Sequence, residues 1–167
     1  SLLESLPSKN LRFLKDYAHD ALKTTGCPQN LSLALAHELE HTMGKKENIK
    51  IVEDLFEKGL PCAVSTDSWY ELAHMRYALL SIALEKPDRA IEHFTKSLAA
   101  ANPREDYRSL YYLAKLLDKK NPDESERYFN ALVDKYPRSW YTIQLLSKKG
   151  LDPLKMNLRT AIAPDIY

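Results

Sequence analysis

Features that would assign a function class directly are missing from this sequence of 167 residues. Its 24 Lys and Arg are balanced by 23 Asp and Glu, whereas a nucleic-acid or anionic-membrane surface usually carries a marked basic excess. No apolar stretch approaches the roughly 18 residues that a membrane-spanning helix needs. The sequence also has no glycine-rich phosphate loop, no GxSxG motif and no CxxC pair. We therefore expect no nucleic-acid binding, no membrane span, no cofactor and no catalytic residue.

Cysteine is scarce as well. Cys27 and Cys62 are the only two cysteines, 35 positions apart. Two interpretations stay open: a disulfide that joins two helix ends in an oxidising compartment, or two free thiols in the core or at helix termini. There is no signal peptide, and residue 1 is Ser rather than Met, so we expect the chain to be an excised or processed fragment.

The chain has only four glycines against nine prolines, and both residue types mark helix ends. Proline is tolerated in the first turn of a helix, where the backbone N–H has no intrahelical partner. Five prolines therefore predict helix starts: Pro28, Pro87, Pro103, Pro122 and Pro153. Basic residues followed by glycine predict helix ends at Gly59 and Gly150.

Apolar residues recur at helical spacing between these marks. Leu11, Leu14 and Ala18 belong to one stripe, and Leu31, Leu35 and Leu39 belong to the next. No segment shows the sustained alternation of a strand. We predict an all-α protein of about eight helices, each of roughly 11–20 residues, joined by short loops as antiparallel hairpins.

An internal repeat refines this prediction. Phe94 and Phe129 are 35 residues apart, close to the tetratricopeptide period of about 34. We predict one helical-repeat domain, residues 1–167, forming a right-handed α-solenoid. Residues 8–58 would be diverged helix pairs, residues 68–150 tetratricopeptide-like pairs, and residues 151–167 a C-terminal extension. Such stacks present a concave surface suited to holding a partner.

Residues 37–41 match the HExxH zinc-peptidase motif. Two histidines one helical turn apart bind one zinc ion, and the glutamate between them acts as general base on the metal-bound water. In this sequence the residues are His37, Glu38 and His41. On a helical wheel both histidines face away from the apolar stripe, and no strand precedes them to build a cleft. We expect a solvent-facing helix surface, and a zinc metallopeptidase stays as an alternative.

Aromatic residues cluster in the last third of the chain and are candidate binding residues. Aromatic rings on a concave helical face could stack on sugar rings or on peptide side chains, or they could simply fill the core between hairpins. Arginines could line the same groove, or cover neighbouring apolar surface. The candidate binding residues are Arg76, Tyr77, Arg108, Tyr111, Tyr112, Trp140 and Tyr141.

Two aromatic-rich segments carry a family resemblance. Residues 106–114, Asp-Tyr-Arg-Ser-Leu-Tyr-Tyr-Leu-Ala, resemble a helix in the superhelical domain of soluble lytic transglycosylases. Residues 136–141, Tyr-Pro-Arg-Ser-Trp-Tyr, are similar to the Tyr-Pro-x-Ser-Tyr-Tyr segment that closes it. The resemblance covers roughly residues 62–150.

This resemblance implies a periplasmic or cell-envelope protein whose helices guide or hold the glycan strands of peptidoglycan. Cleavage in that family is performed by a separate lysozyme-like domain, marked by a Glu-Ser motif and a Gly-Leu-Met-Gln run, and neither occurs in this sequence. We therefore expect a non-catalytic binding module, although the parent protein could be a lytic transglycosylase. The alternative is a tetratricopeptide-type scaffold that binds a protein partner on its concave face.

Overall fold

The structure is a computed structural model that describes residues 8–24, 26, 29–40 and 46–151. Its eight α-helices are α1 (Ser8–Lys23), α2 (Gln29–Glu40), α3 (Lys46–Gly59), α4 (Tyr70–Ala83), α5 (Pro87–Leu98), α6 (Asp106–Leu117), α7 (Pro122–Lys135) and α8 (Trp140–Lys148). A 3-10 turn, Leu60–Cys62, follows α3 directly. The all-α prediction is confirmed for this part of the chain, which contains no strand. Helix α8, with 9 residues, is shorter than expected.

Two of the proline-marked helix starts are confirmed. Pro87 and Pro122 occupy the first positions of α5 and α7. Asn121 caps α7, because its Oδ1 accepts from the backbone N–H of Glu124 at 3.3 Å while its Nδ2 donates to the Glu124 carboxylate at 2.9 Å. This reciprocal pair satisfies a backbone donor that the helix itself leaves unpaired.

The helix start predicted at Pro103 is wrong. Helix α6 begins at Asp106, and the two residues before it are held by a side chain from another helix. The backbone N–H groups of Arg104 and Glu105 each donate to the carboxylate of Glu71 on α4, at 2.6 Å. Pro28 and Pro153 lie outside the described residues.

Both glycine-marked helix ends are found, for different reasons. Gly150 has a φ of 70°, and the N–H of Leu151 beyond it donates to the carbonyl of Leu146 at 2.9 Å, as in a left-handed C-terminal cap. Gly59 ends α3 with ordinary helical dihedrals. A Cβ at that position would lie 3.1 Å from the Leu33 side chain, so Gly59 serves the close approach of α2 and α3.

The chain divides into two compact units, with the boundary between Asp106 and Tyr107. In the first unit, Ser1–Asp106, α2 packs against α3 and α4 against α5, while α1 contacts both α2 and α3. One apolar core runs through this unit. It includes Ala18, Ala21, Leu35, Ala36, Leu39, Val52, Leu55, Phe56, Leu60, Ala73, Tyr77 and Leu80.

The α4–α5 hairpin is closed by a tight turn. The N–H of Lys86 donates to the carbonyl of Ser81 at 2.8 Å, and that of Glu85 donates to the carbonyl of Ile82 at 3.0 Å. This is the bonding pattern of a Schellman motif, which usually places glycine in the left-handed position. Glu85 occupies that position with a φ of 56°. The turn leads straight into Pro87, so α5 begins one residue after the motif ends.

The second unit, Tyr107–Tyr167, contains α6 from its second residue onward, together with α7 and α8, in its described part. Ser125 of α7 donates its hydroxyl to the carbonyl of Ala114 on α6 at 2.6 Å. Thr142 of α8 donates to the carbonyl of Tyr136 at 2.6 Å. The buried apolar side chains in the described part of this unit are Leu110, Tyr111, Leu113, Ala114, Leu117, Phe129, Leu132, Leu145 and Leu146.

Cys62, the last residue of the 3-10 turn, is disulfide-bonded, which favours the first of the two interpretations of the cysteines. Cys27, the other cysteine of the sequence, lies outside the described residues. The same region is tied by Lys58 near the end of α3, whose Nζ donates to the carbonyls of Leu22 and Thr24 at 2.6 Å each. The end of α1 is thus held next to the end of α3.

Candidate functional site

Six aromatic side chains of the second unit form an unbroken chain of ring contacts, which we call the aromatic cluster. Its members are Tyr107, Tyr111, Tyr112, Tyr136, Trp140 and Tyr141. Tyr107 and Tyr111 are four residues apart on α6 and therefore share one face. Trp140 and Tyr141 are the first two residues of α8, placed by Ser139, whose hydroxyl accepts from the N–H of Thr142 at 3.1 Å.

Tyr111 lies at the centre of the cluster. Its ring centroid is 5.0 Å from that of Tyr141, 5.1 Å from that of Tyr112 and 6.4 Å from that of Trp140. Tyr107 extends the chain, at 5.4 Å from Tyr141. These separations and the tilted or edge-on angles are the favourable geometries for aromatic pairs, which are worth about 0.5–1.5 kcal/mol each.

Exposure differs sharply across the aromatic cluster. Trp140 is 61% exposed, whereas Tyr111 beneath it is 8% exposed. Burial raises the pKa of the Tyr112 phenol, and Tyr141 and Tyr111 add to that rise. The cluster is thus a packed aromatic base with one largely exposed indole, and an exposed aromatic ring is what stacking on a flat apolar ligand face requires.

Three cations flank the aromatic cluster. The Arg108 guanidinium carbon lies 5.8 Å from the centroid of Tyr107, Lys115 Nζ lies 5.1 Å from the centroid of Tyr111, and Lys135 Nζ lies 6.0 Å from the centroid of Tyr136. All three distances are within cation–π range. The cluster therefore has aromatic rings at its centre and basic side chains at its edge.

The structure brings together five of the seven predicted binding residues. Tyr111, Tyr112, Trp140 and Tyr141 belong to the aromatic cluster, and Arg108 lies at its edge. Tyr107 and Tyr136 were not named as candidates and complete it. The other two predicted residues, Arg76 and Tyr77, lie on α4 in the first unit.

Tyr77 belongs to the core of the first unit and has no open ring face. It is 2% exposed and stacks on Phe56 with ring centroids 5.2 Å apart. The Arg89 guanidinium carbon lies 4.7 Å from its centroid, and its hydroxyl donates to Glu57 Oε1 at 2.9 Å. Burial raises the pKa of the phenol, and so does the Glu57 hydrogen bond. Arg76 is half-buried on the same helix.

The HExxH residues are only partly described. His37 is half-buried on α2, and its ring contacts that of Trp69 with centroids 6.2 Å apart. Glu38 is exposed, and His41 lies outside the described residues. Among the residues that the structure describes, no group of three or more His, Cys, Asp or Glu side chains could hold a metal ion.

A second polar feature, which the sequence interpretation missed, lies in the first unit. His74 of α4 and His93 of α5 are buried, and their Nδ1 atoms are 2.8 Å apart. Tyr77 contacts His93 edge-on at 4.7 Å, and Tyr70 contacts His74 at 4.5 Å. Nothing in a spacing of 19 residues suggests a pair. The signal that could have predicted the pair is the antiparallel alignment of α4 and α5 about the Glu85 turn, which places these two positions opposite each other.

The histidine pair predicts a pH dependence of stability. Burial lowers the pKa of His74 to about 3, and the neighbouring His93 lowers it in the same direction. Burial lowers the pKa of His93 to about 4, with Lys96 and Arg89 acting in the same direction and Glu92 opposing. Below pH 6.5 the unfolded chain therefore binds protons that the folded chain does not. We expect the free energy of unfolding to be highest above about pH 6.5 and to fall as the pH drops towards 4.

This dependence is measured by urea denaturation at about pH 7 and about pH 5, where most carboxylates stay ionised. The His74→Gln/His93→Gln double variant should lose most of the difference between the two pH values. His19→Gln is the matched control, because His19 is exposed on α1, and it should keep the difference. An equal pH difference in the double variant and the parent would contradict the expected role of the pair.

Comparison with known proteins gives no assignment: no family model, no characterised protein and no solved structure matches the chain. Among the described helices, none is long and apolar enough to span a membrane.

Proposed function

We propose that the chain is a non-catalytic helical-repeat module that binds a glycan strand, and that the aromatic cluster is the contact surface. The observation that carries the proposal is the exposed indole of Trp140 on a packed aromatic base. The C–H-rich face of a sugar ring stacks on such an indole, and neighbouring phenols supply hydroxyl groups for hydrogen bonds. The proposed role corresponds to the superhelical part of a peptidoglycan lytic transglycosylase.

The proposed architecture is a tetratricopeptide-like right-handed solenoid. Its support is a pattern that recurs between α5 and α7. Both helices begin with proline, at Pro87 and Pro122, and both bury a phenylalanine at the same distance into the helix. The small buried residue between them is Ala90 in α5 and Ser125 in α7.

The proposed location is the periplasm or cell envelope. Its support is the disulfide-bonded state of Cys62, since disulfides persist in oxidising compartments and are rare in the cytosol. The same observation weighs against the alternative of an intracellular scaffold for protein partners, which would keep its thiols reduced.

Replacing Trp140 with Ala tests the proposal. We expect the Kd for chitotetraose, an uncharged strand of four N-acetylglucosamine units, to rise about tenfold, since losing one stacked ring costs roughly 1.4 kcal/mol. Calorimetric titration of the folded chain measures it. Retention on peptidoglycan sacculi provides a second readout.

Trp69→Ala is the matched control, because Trp69 is the only other tryptophan and is 42% exposed in the first unit. It should leave binding unchanged. Equal losses in both variants, or no binding of the parent to saccharide or sacculi, would refute the proposal. Trp140-dependent binding to peptides without binding to saccharides would favour the protein scaffold.

A further inference from the structure

The histidine pair lines a cavity of the first unit that the proposed glycan surface does not use. The cavity has a volume of about 340 Å³, at the small end of ligand-binding pockets. His74 and His93 contribute its polar wall, and Leu60 and Pro61 contribute apolar surface. All of these residues belong to the first unit, so the cavity is independent of the aromatic cluster.

The charged groups that line the cavity are paired with one another or with the neighbouring core. Lys96 forms an ion pair with Glu92 at 2.7 Å. Arg89 donates from Nη1 to Glu53 at 2.7 Å and to Glu57 at 3.2 Å. Among the residues that the structure describes, two cations and two carboxylates therefore line the cavity, without excess charge of either sign. Such a lining gives no strong preference for an ionic ligand.

The histidine pair is a hydrogen bond rather than half of a metal site. The two ring centroids are 5.0 Å apart while the Nδ1 atoms are 2.8 Å apart, so each Nδ1 points at the other ring. A metal ion bound by both rings would need the two lone pairs to converge on a third point. One Nδ1 therefore donates a proton and the other accepts it.

This hydrogen bond determines whether the Nε2 atom of each ring donates or accepts a hydrogen bond. In a neutral imidazole one nitrogen is a donor and the other an acceptor. The ring that donates from Nδ1 has an accepting Nε2, and the ring that accepts at Nδ1 has a donating Nε2. Neither Nε2 has a hydrogen-bond partner within the described residues, and neither is fully enclosed. The pair thus presents one donor and one acceptor. These roles exchange only when the shared proton crosses to the other Nδ1 and a second proton passes, through solvent or a bound hydroxyl, from the donating Nε2 to the accepting Nε2.

We propose that this cavity binds an uncharged, hydroxyl-bearing small molecule of about one sugar ring through the Nε2 atom of His74 or that of His93. The head-on contact of the two Nδ1 atoms directs the Nε2 atoms away from each other, so one sugar ring reaches one of them at a time. A hydroxyl group both donates and accepts, so it suits an Nε2 of either kind. The paired charges leave a neutral ligand as the best match, and the Leu60 and Pro61 surface accommodates its C–H face.

The test uses the ¹⁵N-labelled full chain and long-range ¹H–¹⁵N correlation spectra, which resolve the imidazole nitrogens. Glucose and N-acetylglucosamine are titrated separately at neutral pH. We expect saturable shifts of the Nε2 signals of His74 and His93, with the exposed His19 unshifted as the internal reference. His93→Phe should change the shift at His74, because the hydrogen bond that sets the His74 tautomer is lost, and His19→Gln should preserve the shifts of the pair.

Three further titrations separate the alternatives. N-methylacetamide presents an amide without a hydroxyl, inorganic phosphate presents an anion, and Zn²⁺ presents a metal ion. Shifts of the pair with any of these but with neither sugar would overturn the inference, and so would no shift at all. Sugar-induced shifts confined to the Trp140 indole would overturn it too, while supporting the glycan surface. The parent titrations decide the matter even if His93→Phe does not fold.

Discussion

Replacing Glu53 with Ala should lower the free energy of unfolding by about 3 kcal/mol. Glu53 lies on α3 and is 7% exposed. Its Oε1 accepts from Lys86 Nζ at 2.6 Å and from Arg89 Nη1 at 2.7 Å. Burial alone would raise the pKa of this carboxyl, but the hydrogen bonds from Lys86 and Arg89 lower it below its usual value. The carboxylate is therefore held ionised in the interior.

The expected loss of stability comes mainly from the charged partner that the substitution leaves unpaired. The Arg89 side chain is only 19% exposed, and breaking a buried pair strands its charge. Arg89 would keep its Nε hydrogen bond to Ser81 at 2.9 Å and a weaker contact with Glu57, which places the loss at the lower end of the range for such pairs. Lys86 is half exposed and regains water, so it adds little.

Urea denaturation at about pH 7 measures this prediction. Asp54→Ala is the matched control on the same helix, because Asp54 pairs with the exposed Lys50 at 2.6 Å and its loss should change stability far less. Glu53→Gln keeps one acceptor oxygen, so its loss of unfolding free energy should lie between those of Glu53→Ala and Asp54→Ala. A Glu53→Ala loss no larger than that of Asp54→Ala would mean that the pair contributes nothing to holding α5 against α3.

The Glu53 network also shows why part of this fold was not readable from the sequence. Proline at the first position acts within one helical turn, so Pro87 and Pro122 predicted α5 and α7 correctly. The segment before α6 depends instead on Glu71, which lies more than thirty positions earlier. Pro103 therefore predicted the start of α6 incorrectly. A local pattern does not reveal a capping group supplied by another helix.

The aromatic cluster and the histidine pair also differ in how far the sequence predicts them. The aromatic cluster was largely predictable, because Tyr111 and Tyr112 are adjacent in sequence, as are Trp140 and Tyr141. The histidine pair needs the hairpin register, which the Glu85 turn sets with a residue that sequence rules do not favour in the left-handed conformation. Tyr77 was a reasonable surface candidate by type, yet the Arg89 and Phe56 contacts place it in the core.

Reduction of the disulfide should have an effect as large as the loss of Glu53. Cys62 is disulfide-bonded, and the only other cysteine of the sequence, Cys27, lies 35 positions earlier. The sequence interpretation that joins these two cysteines closes a loop of that length, which removes conformational entropy from the unfolded chain, worth about 3–4 kcal/mol on the chain-entropy account. We expect a reductant to lower the free energy of unfolding by that amount. Because Lys58 already joins the ends of α1 and α3, the folded state should persist after reduction.

Urea denaturation with and without reductant, monitored by the circular dichroism signal of the helices, measures this effect. The Cys62→Ser variant should have the stability of the reduced parent and show no further response to the reductant. Counting thiols in the unfolded, unreduced parent provides an independent check, since a disulfide leaves none to react. Two reactive thiols per chain, or a parent indifferent to reductant, would contradict the prediction and remove the support for an oxidising compartment.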